Sequence, residues 1–266
     1  MEKQELIDLA NNIYKETFWT NQYWEILKQY DAVCDKYNNE VSYSPAFYSV
    51  TQLALYDALI MRLARLYETG EQAAGICYLL NSCLSNISLF PEWAFTEDCE
   101  IDGNIISKKY LYELAVTAED SKYLPDTAKD TYRCCEKFGE LFSRTDDDAI
   151  SIEITMNDLF WFYQRKLSGM MVARTNLREQ RNHYYAHLDK AWSLKKVTKE
   201  KPVLIKDIEA MISFSMDLCR TVIALLTGTS RAVEPINIDD LENTLEMVRL
   251  GVVYQQKLPD EVYGRI

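Results

Sequence analysis

The sequence predicts an all-α protein, an up-and-down helical bundle with additional helices at its N-terminus, and three observations carry that expectation. The 8 Gly and 6 Pro spread over 266 residues leave few punctuation points for the frequent tight turns of a β-protein. Apolar residues recur at threes and fours over long stretches, which is the period of a helix burying one face. A content of 48% hydrophobic and 26% charged residues is ordinary for a globular chain, so a folded core is expected.

Along residues 3 to 38, Phe18, Tyr23, Trp24, Leu27, Tyr30 and Val33 sit at helical spacing and predict one or two helices. Asn38-Asn39 and the stretch from Ser42 to Pro45 form a break, with Ser44 before Pro45 as a helix start. Phe47, Val50, Leu53, Ala58, Met61 and Ala64 then describe a helix from Pro45 to Glu68, stopped by Thr69-Gly70. A further helix is expected at 72 to 88 and an exposed acidic loop from Phe90 to Gly103. Helices at 107 to 119 and 126 to 143 follow, and Arg144 to Asp148 is an acidic connector. A long helical pattern begins at Asn157 and runs into the residues around 181; a basic loop spans 193 to 202, and two helices occupy 205 to 227 and 238 to 256. One compact unit is expected, divided at most into an N-terminal helical extension, 1 to 43, and a main helical domain, 44 to 266.

Several functional classes are disfavoured by composition. The start, Met-Glu-Lys-Gln-Glu-Leu-Ile-Asp, lacks a basic stretch followed by an apolar run, so no secretory signal is read. The apolar stretch Met211 to Thr227 is interrupted by Asp217 and Arg220, charges that are costly in hydrocarbon, which predicts a core helix and no membrane association. Seven cysteines (34, 77, 83, 99, 134, 135, 219) form no Cys-x-x-Cys pair and read mostly as small core hydrophobes in a reducing cytoplasm, with a redox role for the vicinal Cys134-Cys135 the lesser alternative.

The net charge of −12 argues against indiscriminate nucleic-acid binding, which rests on neutralising phosphates. That average conceals an island. From Arg165 to Lys201 ten basic residues face three acidic ones, a balance of +7, so the rest of the chain carries −19. Both histidines, His183 and His187, fall inside this island in the run Arg181-Asn-His-Tyr-Tyr-Ala-His187. On a helix the two histidines would lie about 40° apart, and Arg174, Arg178 and Arg181 form an i, i+4, i+7 stripe leading up to them.

Three readings compete for this cluster. The aromatic and imidazole groups could be packing residues with satisfied polar tips, their arginines paired with carboxylates elsewhere. His183 and His187 could be an i, i+4 metal pair, although the residues between them lack the Glu of His-Glu-x-x-His enzymes and only Asp189 lies near as a further ligand; no metal or other cofactor is expected. In the third reading Arg and His act on a phosphodiester, since imidazole exchanges protons near neutrality and guanidinium grips phosphate in bidentate fashion.

The Arg-polar-x-x-x-x-His pattern of Arg181, Asn182 and His187, extended as Arg-Asn-x-x-x-Ala-His-x-Asp-Lys over 181 to 190, resembles the abortive-infection (AbiU-like) branch of the HEPN superfamily of prokaryotic ribonucleases. The run Leu63-Ala-Arg-Leu-Tyr-Glu68 on the earlier long helix is similar to the same branch. The likeness covers the chain from about residue 44 onward. It implies a HEPN-like bundle and a metal-independent endoribonuclease that leaves a 2′,3′-cyclic phosphate and a 5′-hydroxyl. Arg181 would orient and stabilise the scissile phosphate, Asn182 would hold the motif or contact phosphate, and His187 would transfer the proton. His183, Tyr184 and Asp189 would be auxiliary, and Arg174, Arg178, Lys190, Lys195 and Lys196 would guide RNA. The resemblance also implies a homodimer in which two motifs face each other, and an antitoxin such as a nucleotidyltransferase as a further partner. The alternatives are a catalytically inactive HEPN module that binds RNA, a nucleotide or a regulatory protein, and a purely structural helical adaptor.

Overall fold

Helix α1 (Lys3–Val33) is the longest described element of the computed structural model, which describes residues 1–33, 35–70, 72–90, 95–101, 104–110, 156–182, 203–229, 231 and 239–255. At 31 residues it extends about 46 Å. Its buried side chains Leu6, Ala10, Ile13, Thr17, Thr20 and Trp24 alternate steps of four and three, a 3.5-residue seam of the kind that packs helix on helix. Two of these positions are polar. Their hydroxyls donate to the carbonyls of Ile13 and Glu16 at 2.9 and 2.7 Å, so neither threonine donor is left unpaired.

The seam packs chiefly on α7 (Ile205–Thr227) and α3 (Pro45–Leu66), with α4 (Ile76–Ser85) beside them. Leu6 and Ala10 of α1, Leu59 and Leu63 of α3, and Leu218 and Val222 of α7 belong to one apolar cluster. Helix α7 is long and apolar enough to cross a membrane by length and composition alone, yet most of it is buried in the bundle. The two charges within its apolar stretch have local partners: the Tyr163 hydroxyl donates to Asp217 at 2.8 Å, and Arg220 donates to the Arg231 carbonyl at 2.9 Å. The helix ends at Gly228, whose φ of 70° is left-handed and whose N–H closes the last turn on the Ala224 carbonyl at 2.8 Å.

The expected elements recur with shifts at their ends. The N-terminal stretch holds α1 and the short α2 (Asn38–Ser42), where a break was expected; Ser44 precedes Pro45 at the start of α3 as read, although its hydroxyl makes no cap hydrogen bond. Helix α4 is shorter than 72 to 88 and is followed by a 3₁₀ turn at Ile87–Leu89. Its start is pinned at Gly75, where a Cβ would lie 2.3 Å from the Leu66 carbonyl oxygen, so backbone crosses backbone with no room for a side chain. The helix expected from Asn157 is two helices, α5 (Met156–Gly169) and α6 (Met171–Gln180), separated by a turn at Met170.

The stretch read as an exposed loop and the start of a helix at 107 is instead an antiparallel hairpin of β1 (Phe95–Ile101) and β2 (Asn104–Tyr110), with Phe95 opposite Tyr110 and Ile101 opposite Asn104. The dipeptide between the strands, Asp102-Gly103, is the one that two-residue hairpins favour, and Phe95, Thr96, Ile105, Ile106 and Tyr110 are strand-forming types. The register sets Glu97 opposite Lys108. Among the described residues the architecture is otherwise helical. The expected helix at 126 to 143, the connector 144 to 148, the loop 193 to 202 and the vicinal cysteines lie outside the described residues.

Helix α8 (Asp240–Gln255) lies on α1 and α2, where Leu245 joins Tyr30, Val33, Tyr37 and Tyr48 in a second small apolar cluster. A polar clasp surrounds it. Arg249 donates to Glu40 at 2.8 Å, to Glu246 at 3.2 Å and to the Lys36 carbonyl at 3.2 Å, while its guanidinium carbon stands 4.4 Å from the centre of the Tyr37 ring. Lys36 pairs with Glu242 in the same clasp.

Candidate active site

The end of α3 and one face of α6 form the walls of the site. Tyr67 fixes the first wall: its buried phenol donates to the Met211 carbonyl at 2.7 Å and accepts from Ser215 at 2.8 Å, and burial raises its pKa so that it stays a donor. The next residue, Glu68, is thereby held at the rim. On α6, Ala173 and Leu177 face the core, and Arg174, Arg178 and Arg181 form the stripe beside them, about a quarter turn around the helix, as their i, i+4, i+7 spacing predicts. Between the walls lies a cleft of about 530 Å³ lined by these three arginines together with Glu68, Thr69 and Thr175. Three cations against one carboxylate give the lining +2 in a chain of −12.

The three arginines differ in what holds them. Arg181 donates through Nη1 to Glu68 Oε1 at 3.0 Å and through Nε to Asn182 Oδ1 at 3.1 Å; its side chain is 18% exposed, that of Glu68 43%. At Arg181 and Asn182 the helix widens into a π turn, a local irregularity frequent at functional sites. Arg174 lies deeper. Its Nη2 is 3.0 Å from the Cys77 sulfur and its buried Nε has no hydrogen-bond partner among the described residues. Burial raises the Cys77 thiol above its ordinary value against the pull of this guanidinium, so the sulfur does not neutralise the charge. Arg178 is exposed at the rim and has no ion pair among the described residues.

Of the residues singled out in the sequence, the structure brings Arg174, Arg178 and Arg181 to one cleft, with Asn182 beside Arg181. His183, Tyr184, His187, Asp189, Lys190, Lys195 and Lys196 lie outside the described residues. Glu68 is the site residue that sequence reasoning missed. Its signal was the Leu63 to Glu68 run, which marks the stretch without saying what the carboxylate faces. The structure separates the two charges of that run: Glu68 meets α6, whereas Arg65 turns to Glu16 of α1 at 3.2 Å, which Arg62 also meets at 2.8 Å.

Chemically, a concave wall of guanidinium groups with hydroxyls between them suits an anion with several oxygens, and planar N–H forks match a phosphate edge in particular. A family model of the HEPN type, described as AbiU2, matches residues 3–246. The match begins at the first residue of α1, earlier than the resemblance read from residue 44 onward, and α1 shares one apolar cluster with α3 and α7. No curated protein and no solved structure matches the chain.

Proposed function

The chain belongs to the AbiU2 family of HEPN proteins, and from that premise we propose that it is a metal-independent endoribonuclease serving as a toxin or phage-defence effector. The observation that supports this reading is the arginine cleft, in which Arg181 of the Arg-Asn-x-x-x-Ala-His run is held by Glu68 and Asn182 with its Nη2 left without a partner among the described residues.

In this reading a phosphodiester enters the cleft and Arg181 takes its non-bridging oxygens, with Arg178 steering the strand. His187 removes the proton of the 2′-hydroxyl, the freed oxygen attacks phosphorus, and the bond to the 5′ oxygen breaks as that oxygen receives a proton. A 2′,3′-cyclic phosphate and a 5′-hydroxyl result. Charge on the phosphorane is greatest midway, where a fixed guanidinium stabilises it most. One imidazole cannot conveniently serve as base and acid in the same step, so two copies pairing their motifs would supply the second. The acidic remainder of the chain would repel bulk RNA and favour a target that reaches the cleft with a local strand.

The test is cleavage of RNA by the purified protein in EDTA. Arg181→Ala or His187→Ala is expected to abolish cutting, and sequencing of the ends is expected to show cyclic phosphate. Undiminished cutting by both variants would remove the site assignment, and salt-dependent binding without turnover would identify a binding module instead.

A further inference from the structure

We infer that Glu68 is a positioning residue for Arg181, aligning its guanidinium for phosphate while weakening the grip of the empty cleft on anions. This inference rests on the phosphodiester reading of the cleft and adds a residue to it. The contact joins residues 113 positions apart, the end of α3 and the last turn of α6.

Two tethers on different nitrogens fix a plane. Glu68 holds Nη1 at 3.0 Å and Asn182 holds Nε at 3.1 Å, so rotation of the guanidinium about its long axis is arrested and Nη2 is left to face a ligand. The anchor behind Glu68 is rigid, because its neighbour Tyr67 is locked on Met211 and Ser215 in the core. Stability is not the role of the pair. A carboxylate 43% exposed on a guanidinium is a surface ion pair, whose contribution to folding is small.

The same carboxylate stands beside the place where a phosphate would sit. Its charge opposes the incoming anion, while its oxygen holds the arginine that meets it. The two effects separate by chemistry. Glutamine keeps an acceptor oxygen for Nη1 without the charge, and alanine removes both.

The experiment compares Glu68→Gln and Glu68→Ala with the wild type, each checked for an unchanged melting temperature. Two readouts are used: affinity for a short single-stranded RNA over a salt series, and the single-turnover cleavage rate. Glu68→Gln is expected to bind about 2- to 5-fold tighter at low salt, the range of an exposed charge pair, and to retain its rate within about threefold. Glu68→Ala is expected to bind at least as tightly as the wild type but to cleave about 10-fold more slowly or worse, since misplaced catalytic groups lose rate rather than affinity. Wild-type affinity in Glu68→Gln, or a wild-type or faster rate in Glu68→Ala, overturns the inference. If the wild type cuts nothing, the nuclease reading falls by itself, and the affinity of Glu68→Gln still decides whether Glu68 governs Arg181.

Discussion

Arg181 and Arg249 are both arginines on late helices that pair with a carboxylate from the first 70 residues, yet they are used in opposite ways. Arg249 spends all three nitrogens on protein, on Glu40, Glu246 and the Lys36 carbonyl, and lays its face on Tyr37. Every nitrogen of it is engaged by the fold. Arg181 spends one nitrogen on Glu68 and one on its neighbour Asn182, and it opens on a cleft. Arg174, in the same cleft, has a thiol for one partner and a buried Nε without any among the described residues. A guanidinium engaged by the fold at every nitrogen closes a joint, whereas one with a nitrogen to spare is available to an anion.

This contrast can be broken most sharply by exchanging the losses. Arg181→Ala is expected to reduce RNA cleavage by about 100-fold or more, the scale of removing one fixed donor to transition-state charge, with little change in melting temperature. Arg249→Ala is expected to do the reverse. It leaves Glu40 nearly buried without its cation and loosens α8, lowering the melting temperature by several degrees with unchanged cleavage per folded molecule. If each variant lost both stability and activity, the division between the two regions would be wrong.

Acid sharpens the same comparison. Hydrogen bonding from Arg249 holds the Glu40 carboxyl below its ordinary 4.5, and Lys36 does the same for Glu242. Groups lowered in the folded state contribute stability that is complete above the ordinary value and lost as pH falls through the folded one. Melting temperature is therefore expected to decline from about pH 5 downward, and the decline should be shallower in Arg249→Ala. Lys36 is raised above 10.5 by Glu242, so its contribution is present below that value and lost in stronger base. The smallest effect expected is that of Arg178→Ala. As an exposed cation on the rim it should weaken RNA binding modestly and reduce the slope of log affinity against log salt by about 1, with the cleavage step intact.

Sequence reasoning reached the parts of the molecule that are set by local pattern. The bounds of α7 were legible because an apolar face of more than five turns ends on a glycine that can adopt positive φ. The α6 arginine stripe was legible because a helix presents every third and fourth residue together. The break at Met170 was passed over although Gly169 stands directly before it, because the helical spacing of the apolar residues continues across it. The hairpin was hidden by its acidic residues, which suggested a loop, although Asp102-Gly103 stood between two runs of strand-forming types. Contacts at long separation were out of reach. Nothing at Glu68 announces Arg181, and nothing at Arg174 says that it turns inward to Cys77 while Arg178 stays at the rim.

Gly75 gives the cleft a dependence that none of its lining residues reveals. The backbone at 75 crosses the α3 terminus at a separation that a single methyl group would violate, against the Leu66 carbonyl two residues before Glu68. Any side chain there must displace either the start of α4 or the end of α3, and the second displacement carries the counter-charge of Arg181 with it. In a mutational map of activity, position 75 would therefore resemble a member of the site although it has no charge, no hydrogen-bonding side chain and no surface in the cleft. The distance between two ions is in this way inherited from an atom that the chain leaves out.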